Sequence, residues 1–210
     1  LPKKSCEVRV RGRAASRSSL SLHSVPASAV RGTLADHTMR FRALSTAAAK
    51  LKHYTLSAQS QSGSSVVSQA EGHTLRTDLP RATGGADTAA QPVIHLLHAL
   101  AGCELATATY VARRMRLKIG GIRFELEAHR DERGALHLPI DAEPPVPARL
   151  LEVRGRAYVD TAEPQSKIDE LAARVHVRCP VASMIVASGA VLDVDFVAEP
   201  AGSPPSDESG

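Results

Sequence analysis

Two cysteines stand in unlike settings that suit a redox pair. Cys103 lies inside a long apolar run, Leu97-His98-Ala99-Leu100-Ala101-Gly102-Cys103, and Cys179 sits in Val177-Arg178-Cys179-Pro180-Val181. No other cysteine falls between Tyr54 and the C-terminus. The thiolate is the nucleophile in thiol chemistry, and apolar burial raises a thiol's pKa. Cys103 is flanked by Leu100, Ala101, Gly102 and Leu105, so it needs a cation or hydrogen-bond donors nearby to react. Cys179 precedes Pro180, which puts it at or near a helix N-cap. The free N–H groups and helix dipole there favour an anionic sulfur. A lowered pKa would make Cys179 the better leaving thiolate during reduction. The plainer reading is two structural cysteines, because free Cys is among the most buried residue types.

Other groups add less. Thr107 and Tyr110 lie four and seven residues beyond Cys103, on its helix face. Either could donate a hydrogen bond to the sulfur, although core packing is the commoner role. Glu104 projects about 100° away around the helix and receives no role. No Cys-x-x-Cys motif is present, and His95 and His98 share a helix face at i, i+3, which is weak grounds for a metal site. Gly84-Gly85 lacks the strand–GxGxxG–helix setting of a nucleotide loop. No metal and no cofactor is expected.

Elements must bring the two thiols together. Lys52–Ser60 and Ser64–Ala70 read as strands joined by a Gln-Ser-Gly turn, with His73–Leu79 as a third. A loop over 80–91 leads to Pro92, which opens a helix to about Leu117, ended by Gly120-Gly121. Ile122–Arg130 alternates apolar and polar residues as a half-buried strand. A proline-rich connection over 139–147 precedes a strand at Leu150–Val159. Ser166–Val177 is amphipathic, with Ile168, Leu171, Ala172 and Val175 at helical spacing. Pro180–Ser188 is a second short helix, and Leu192, Val194 and Phe196 mark a last strand. The order βββ-α-ββ-αα-β predicts an α+β fold with antiparallel sheets around a long central helix. Val93–Ala112 has the length of a membrane span but carries His95, His98 and Glu104, which a span tolerates poorly. It reads as a buried central helix.

Charge divides the chain. Residues 1–52 hold 11 Lys and Arg against only Glu7 and Asp36, whereas the remainder is acidic by five charges. Aromatic residues make up 3% and Trp is absent, so the core is aliphatic. An acidic domain without aromatic platforms argues against nucleic-acid binding. Residues 1–50 are rich in Arg, Ser and Ala, the composition of an organellar transit peptide, mitochondrial ahead of plastid. A disordered basic extension, with a cytoplasmic protein, is the alternative. Met39 opens Met39-Arg40-Phe41-Arg42, which would serve as a short presequence on its own. Residues 51–199 form the domain, and 200–210 read as a disordered tail.

The stretch from Gly72-His73-Thr74-Leu75-Arg76-Thr77-Asp78-Leu79-Pro80 through Gly84-Gly85-Ala86-Asp87 and Pro92 to Leu96-Leu97-His98-Ala99-Leu100-Ala101-Gly102-Cys103, with Cys179-Pro180-Val181 further on, resembles the OsmC/Ohr family. The resemblance spans roughly Tyr54 to Val197. It implies an intertwined homodimer with two long helices at its centre. It also implies a thiol-dependent peroxidase acting on organic hydroperoxides in oxidative-stress defence. By the same resemblance Cys103 is the peroxidatic cysteine, Cys179 resolves it, and a dithiol such as a dihydrolipoyl group reduces the disulfide. An arginine ahead of the central helix would serve Cys103; Arg76 is favoured over Arg81. One departure stands out: Val93 occupies the position where many peroxidase members carry a glutamate that pairs with this arginine. Gln91 and His95 are weak stand-ins. A non-catalytic member that binds a small apolar ligand, or a peroxide sensor, is the alternative.

Overall fold

The computed structural model describes residues 50–200. The basic N-terminal segment and the C-terminal tail, with the expectations attached to them, lie outside the described residues.

The chain builds two three-stranded sheets. The first comprises β1 (Ser57–Ser60), β2 (Val66–Ala70) and β3 (His73–Thr77), all antiparallel. The second comprises β4 (Ile119–His129), β5 (Glu152–Thr161) and β6 (Val191–Glu199). Between the sheets in sequence runs α1 (Pro92–Met115), and α2 (Gln165–Arg178) and α3 (Pro180–Ala187) connect β5 to β6. The α+β class and the order of elements match the sequence reading. One pairing does not: β6 runs parallel to β5, while β4 pairs with β5 antiparallel. The helix pair supplies the reason, because strands joined by a helical crossover return in the same direction.

Pro92 occupies the first turn of α1, where its missing N–H costs nothing. The helix ends two residues earlier than its apolar pattern suggests. Arg116 adopts a left-handed conformation (φ 60°) and its N–H closes on the Ala112 and Arg113 carbonyls. Gly120-Gly121 therefore does not stop the helix. It lies inside β4, at the register shift between Ile119 and Ile122.

The core is two adjoining clusters. Ala108, Val111 and Ala112 of α1 pack on Ile168, Leu171 and Val175 of α2 and on Val194 and Phe196 of β6. Phe124 meets Phe196 edge-on, with centroids 6.4 Å apart. Leu100 of α1, Val153 of β5, and Ala182 and Ile185 of α3 form the second cluster with Cys179. Full burial of each large aliphatic side chain contributes about 1.5–3 kcal/mol. Among the described residues no helix is long and apolar enough to cross a membrane. The first sheet differs from this. β1 is exposed along its length, Leu75 of β3 is 44% exposed, and neither face is buried against the second sheet.

The loop between β3 and α1 is organised by one carboxylate. Asp78 is 1% exposed and accepts hydrogen bonds from the Ser64 hydroxyl, the Leu79, Ala86 and Thr88 amides and the Thr88 hydroxyl, at 2.8–3.2 Å. Gly84 takes the left-handed conformation (φ 88°), and a Cβ on Gly85 would stand 1.8 Å from the Leu79 carbonyl oxygen. The Gly-Gly pair is thus a steric requirement of a turn wrapped on Asp78. The Thr88 hydroxyl, then the backbone amides and Ser64, hold the Asp78 carboxyl far below the usual carboxylate range. A depressed pKa stabilises the fold above the unfolded value of about 4, and that contribution fades as pH falls through the folded one. In Asp78→Ala, amide exchange at Ala86 and Thr88 accelerates at neutral pH. The stability difference from wild type shrinks in acid, as read by hydrogen exchange and by urea unfolding at several pH values.

Candidate functional site

The second core cluster brings the two cysteines together. Cys179 is fully buried within it, and half-buried Cys103 packs against it from α1. Both are free thiols, and Cys103 packs against the apolar cluster that holds Cys179. Two features make the meeting possible. The buried stripe of α1 runs Leu100, Glu104, Ala108, Val111, so Cys103 falls on its edge. The chain bends sharply between α2 and α3, where Cys179 is at once the C-cap of one helix and the N-cap of the next.

Cys179 is a genuine N-cap: its sulfur accepts the Ala182 N–H at 3.5 Å. The expected depression of its pKa does not follow. Burial pushes the Cys179 thiol up to about 11, and the neighbouring Cys103 adds to the rise. The Ala182 and Val181 amides act the other way and lose. The helix terminus was the legible signal; the surrounding Leu100, Val153, Ala182 and Ile185 were not.

Among the described residues no hydrogen bond joins the other expected partners to the Cys103 sulfur. The Thr107 hydroxyl donates to the Cys103 backbone carbonyl at 2.8 Å, leaving the sulfur unserved by it. Tyr110 is 56% exposed, with the Arg114 guanidinium over its ring. Arg76 projects from exposed β3, opposite Val67, and Arg81 lies exposed in a short 3-10 turn (Arg81–Thr83). Within the described residues neither is joined to Cys103. Val93, at the start of α1, is 37% exposed, and Gln91 is an N-cap whose side chain makes no capping bond. No three His, Cys, Asp or Glu side chains gather as a metal site among the described residues.

One pair escaped the sequence reading. Glu104 is fully buried, and neither of its carboxyl oxygens has a hydrogen-bond partner. Its Oε1 stands 3.8 Å from Nε2 of His176, a nitrogen that is also buried and unpartnered. His176 packs edge-on against Phe196, with centroids 5.7 Å apart. Burial raises the Glu104 carboxyl to about 7 and lowers the His176 imidazole. The signal in the sequence was positional: Glu104 falls four residues from Leu100 and four from Ala108, on the buried stripe itself.

Comparison with known proteins bears on this arrangement. Residues 84–195 match the family model described as OsmC-like protein. Solved structures share the fold. An OsmC-like protein from Mycoplasma pneumoniae aligns with a TM-score of 0.58 at 23% identity, covering 70% of this chain and 97% of its own. An organic hydroperoxide resistance protein OsmC from Legionella pneumophila aligns with a TM-score of 0.55 at 19% identity, covering 70% and 99%. One from Elizabethkingia anophelis, an organic hydroperoxide resistance protein, gives 0.53 at 16%, covering 70% and 99%. No curated protein matches the chain.

Thiol accessibility can be read directly. At pH 8 a thiol with a pKa near 11 is about one part in a thousand thiolate. Because Cys103 is half-buried and Cys179 fully buried, iodoacetamide should label Cys103 at least about tenfold faster than Cys179 in the folded, reduced protein. Timed quenching and peptide mass spectrometry give the two rates, and equal rates would contradict the burial described above.

Proposed function

This chain belongs to the OsmC-like family, and from that membership we propose that it is a thiol peroxidase for organic hydroperoxides, with Cys103 attacking and Cys179 resolving. The observation that carries the reading is the placement of the two free thiols at one apolar cluster, Cys179 within it and Cys103 against it. The names of the Legionella and Elizabethkingia structures, organic hydroperoxide resistance proteins, point the same way.

The chemistry closes with atoms and electrons accounted for. The Cys103 thiolate attacks the outer peroxide oxygen and the O–O bond breaks. The products are the Cys103 sulfenic acid and, after protonation, the alcohol. The Cys179 thiol then condenses with the sulfenic acid, forming the S–S bond and releasing water. A dithiol, such as a dihydrolipoyl group, reduces the disulfide by exchange and leaves as its own disulfide. An apolar cluster suits an alkyl hydroperoxide better than hydrogen peroxide, since the organic group supplies area to bury.

Cys103 still needs a cation, and among the described residues neither Arg76 nor Arg81 is joined to it. The first sheet carries Arg76; its β1 and β3 are largely exposed and β2 only half-buried. α1 also leaves Ile94, Leu96, Leu105 and Tyr110 exposed. Two uncovered surfaces on one chain fit a homodimer in which the sheet of one copy covers the central helix of the other. Arg76 would then act across the interface. This accounts for the missing glutamate at Val93: the guanidinium would be held by the partner's surface instead of by a carboxylate at the helix start. The basic N-terminal segment supports an organellar, mitochondrial address for the same protein.

Cumene hydroperoxide added in one equivalent to the reduced full chain should remove two hydrogens from the protein and yield a linked Cys103–Cys179 peptide on digestion. Cys179→Ser should stop at the sulfenic acid, trapped by dimedone, and Cys103→Ser should not react. Arg76→Ala should slow the first step by about 100-fold, the scale of losing one electrostatic stabiliser. Mixed dimers of Arg76→Ala with Cys103→Ser should recover part of the rate. An unchanged mass after prolonged exposure would sink the peroxidase and favour a protein that binds an apolar ligand.

A further inference from the structure

The thiol chemistry above leaves Glu104 and half-buried His176 unused, and Glu104 is costly to bury. A carboxyl with both oxygens unpartnered at zero exposure is among the most expensive groups a core can hold. Its position is specific. Glu104 directly follows Cys103 on α1, and His176 is one turn before Cys179 in the last turn of α2. The pair bridges the seam between the two core clusters, with Ala108 and Val175 on one side and Leu100 and Cys179 on the other.

We propose that Glu104 and His176 share one proton as a latch between α1 and the α2–α3 elbow, and that the latch sets the approach of the Cys179 sulfur to Cys103. The inference rests on the reading of these two cysteines as a working pair. Both are positioning residues, acting through the backbone that carries each thiol.

The protonation states follow from the surroundings. Burial raises Glu104 to about 7 and lowers His176, so below neutrality a carboxylic acid faces a neutral imidazole. That combination holds one donor and one acceptor, and the 3.8 Å gap closes to a hydrogen bond by a small side-chain rotation. The charged group acting on the pair is Asp195 of β6, which favours the protonated imidazole and works against burial. α3 brings no ionisable side chain, and Cys103 and Cys179 flank the pair as thiols. Above about pH 7 the carboxyl loses its proton and the seam holds a buried charge without a cation. A raised acid pKa means the folded state binds the extra proton. Its contribution is present below about pH 4.5 and is lost as pH climbs through 7. The lowered histidine works in the opposite sense on the acid side, so the latched state occupies a window just below neutrality.

The test separates the latch from the peroxidase. Full-chain wild type, Glu104→Gln, Glu104→Leu and His176→Gln are unfolded in urea from pH 5 to 8.5. Closure of the Cys103–Cys179 disulfide by diamide, which needs no peroxide, is timed at pH 6 and pH 8.5. The latch predicts that the stability difference between wild type and Glu104→Gln moves against wild type as pH rises through 7. It also predicts that diamide closure at pH 6 slows about tenfold or more in Glu104→Leu and His176→Gln, since a misplacement of 1 Å can cost on the order of 100-fold. The wild-type advantage should be smaller at pH 8.5. Burial of Glu104 alone would give the same pH dependence of stability but would leave diamide closure at pH 6 unchanged in both Glu104→Leu and His176→Gln, and that result overturns the proposal. Diamide closure that responds as described, in a protein inert to cumene hydroperoxide, removes the peroxidase and leaves the latch standing.

Discussion

Bringing Cys103 and Cys179 to one cluster requires a long helix to bury a narrow stripe while the rest of it stays uncovered. α1 does this by packing Leu100, Ala108, Val111 and Ala112 inward and setting Cys103 at the margin. Cys179 reaches the same cluster at the break between two helices, where its own backbone is extended. The Cys-Pro step at the α2–α3 junction provides that break. Pro180 cannot continue the hydrogen bonding of α2 but is well suited to start α3. The second sheet then has to accept both helices between two neighbouring strands, which forces β6 to lie parallel to β5.

Burial sets the electrostatics of the same region, and its effects run in one direction. Cys179, Glu104 and His176 are each pushed toward their neutral forms, chiefly by desolvation. In the cycle proposed above, a neutral Cys179 thiol is no obstacle to condensation with a sulfenic acid, which is an activated sulfur. It would make Cys179 a poorer leaving group during reduction than a helix N-cap alone would suggest. A reductant would then gain most by attacking where the leaving sulfur can be stabilised.

Much of this was legible in the residues. The apolar periodicity of Ile168, Leu171 and Val175, with Pro92 and Pro180 at helix starts, located the three helices to within about two residues, whereas β1 begins at Ser57 rather than Lys52 and β4 at Ile119 rather than Ile122. Local signals of that kind survive folding because they describe what one segment does alone. What did not show was set by neighbours distant in sequence. The N-cap argument for Cys179 was sound locally and was overruled by Leu100 and Val153, which come from other elements. Thr107 was placed on the right face, but its hydroxyl found a nearer acceptor in its own helix. Gly120-Gly121 looked like a helix stop and serves a strand irregularity, since the left-handed turn is made by Arg116.

Glu104 is the most instructive of these. The sequence reading gave it no role, yet it sits four residues from both Leu100 and Ala108 on the buried stripe. The structure keeps it inside, opposite a histidine from the other thiol-bearing segment. An apolar residue at this place would be simpler to fold, and a buried ionisable pair seldom adds stability over its hydrophobic replacement. What such a pair can add is a defined geometry, because an acid and an imidazole bond only in one register, whereas leucine packs acceptably in several. The demand for one register is greatest where two sulfur atoms must meet in line, and the segments that carry them are the two that Glu104 and His176 join.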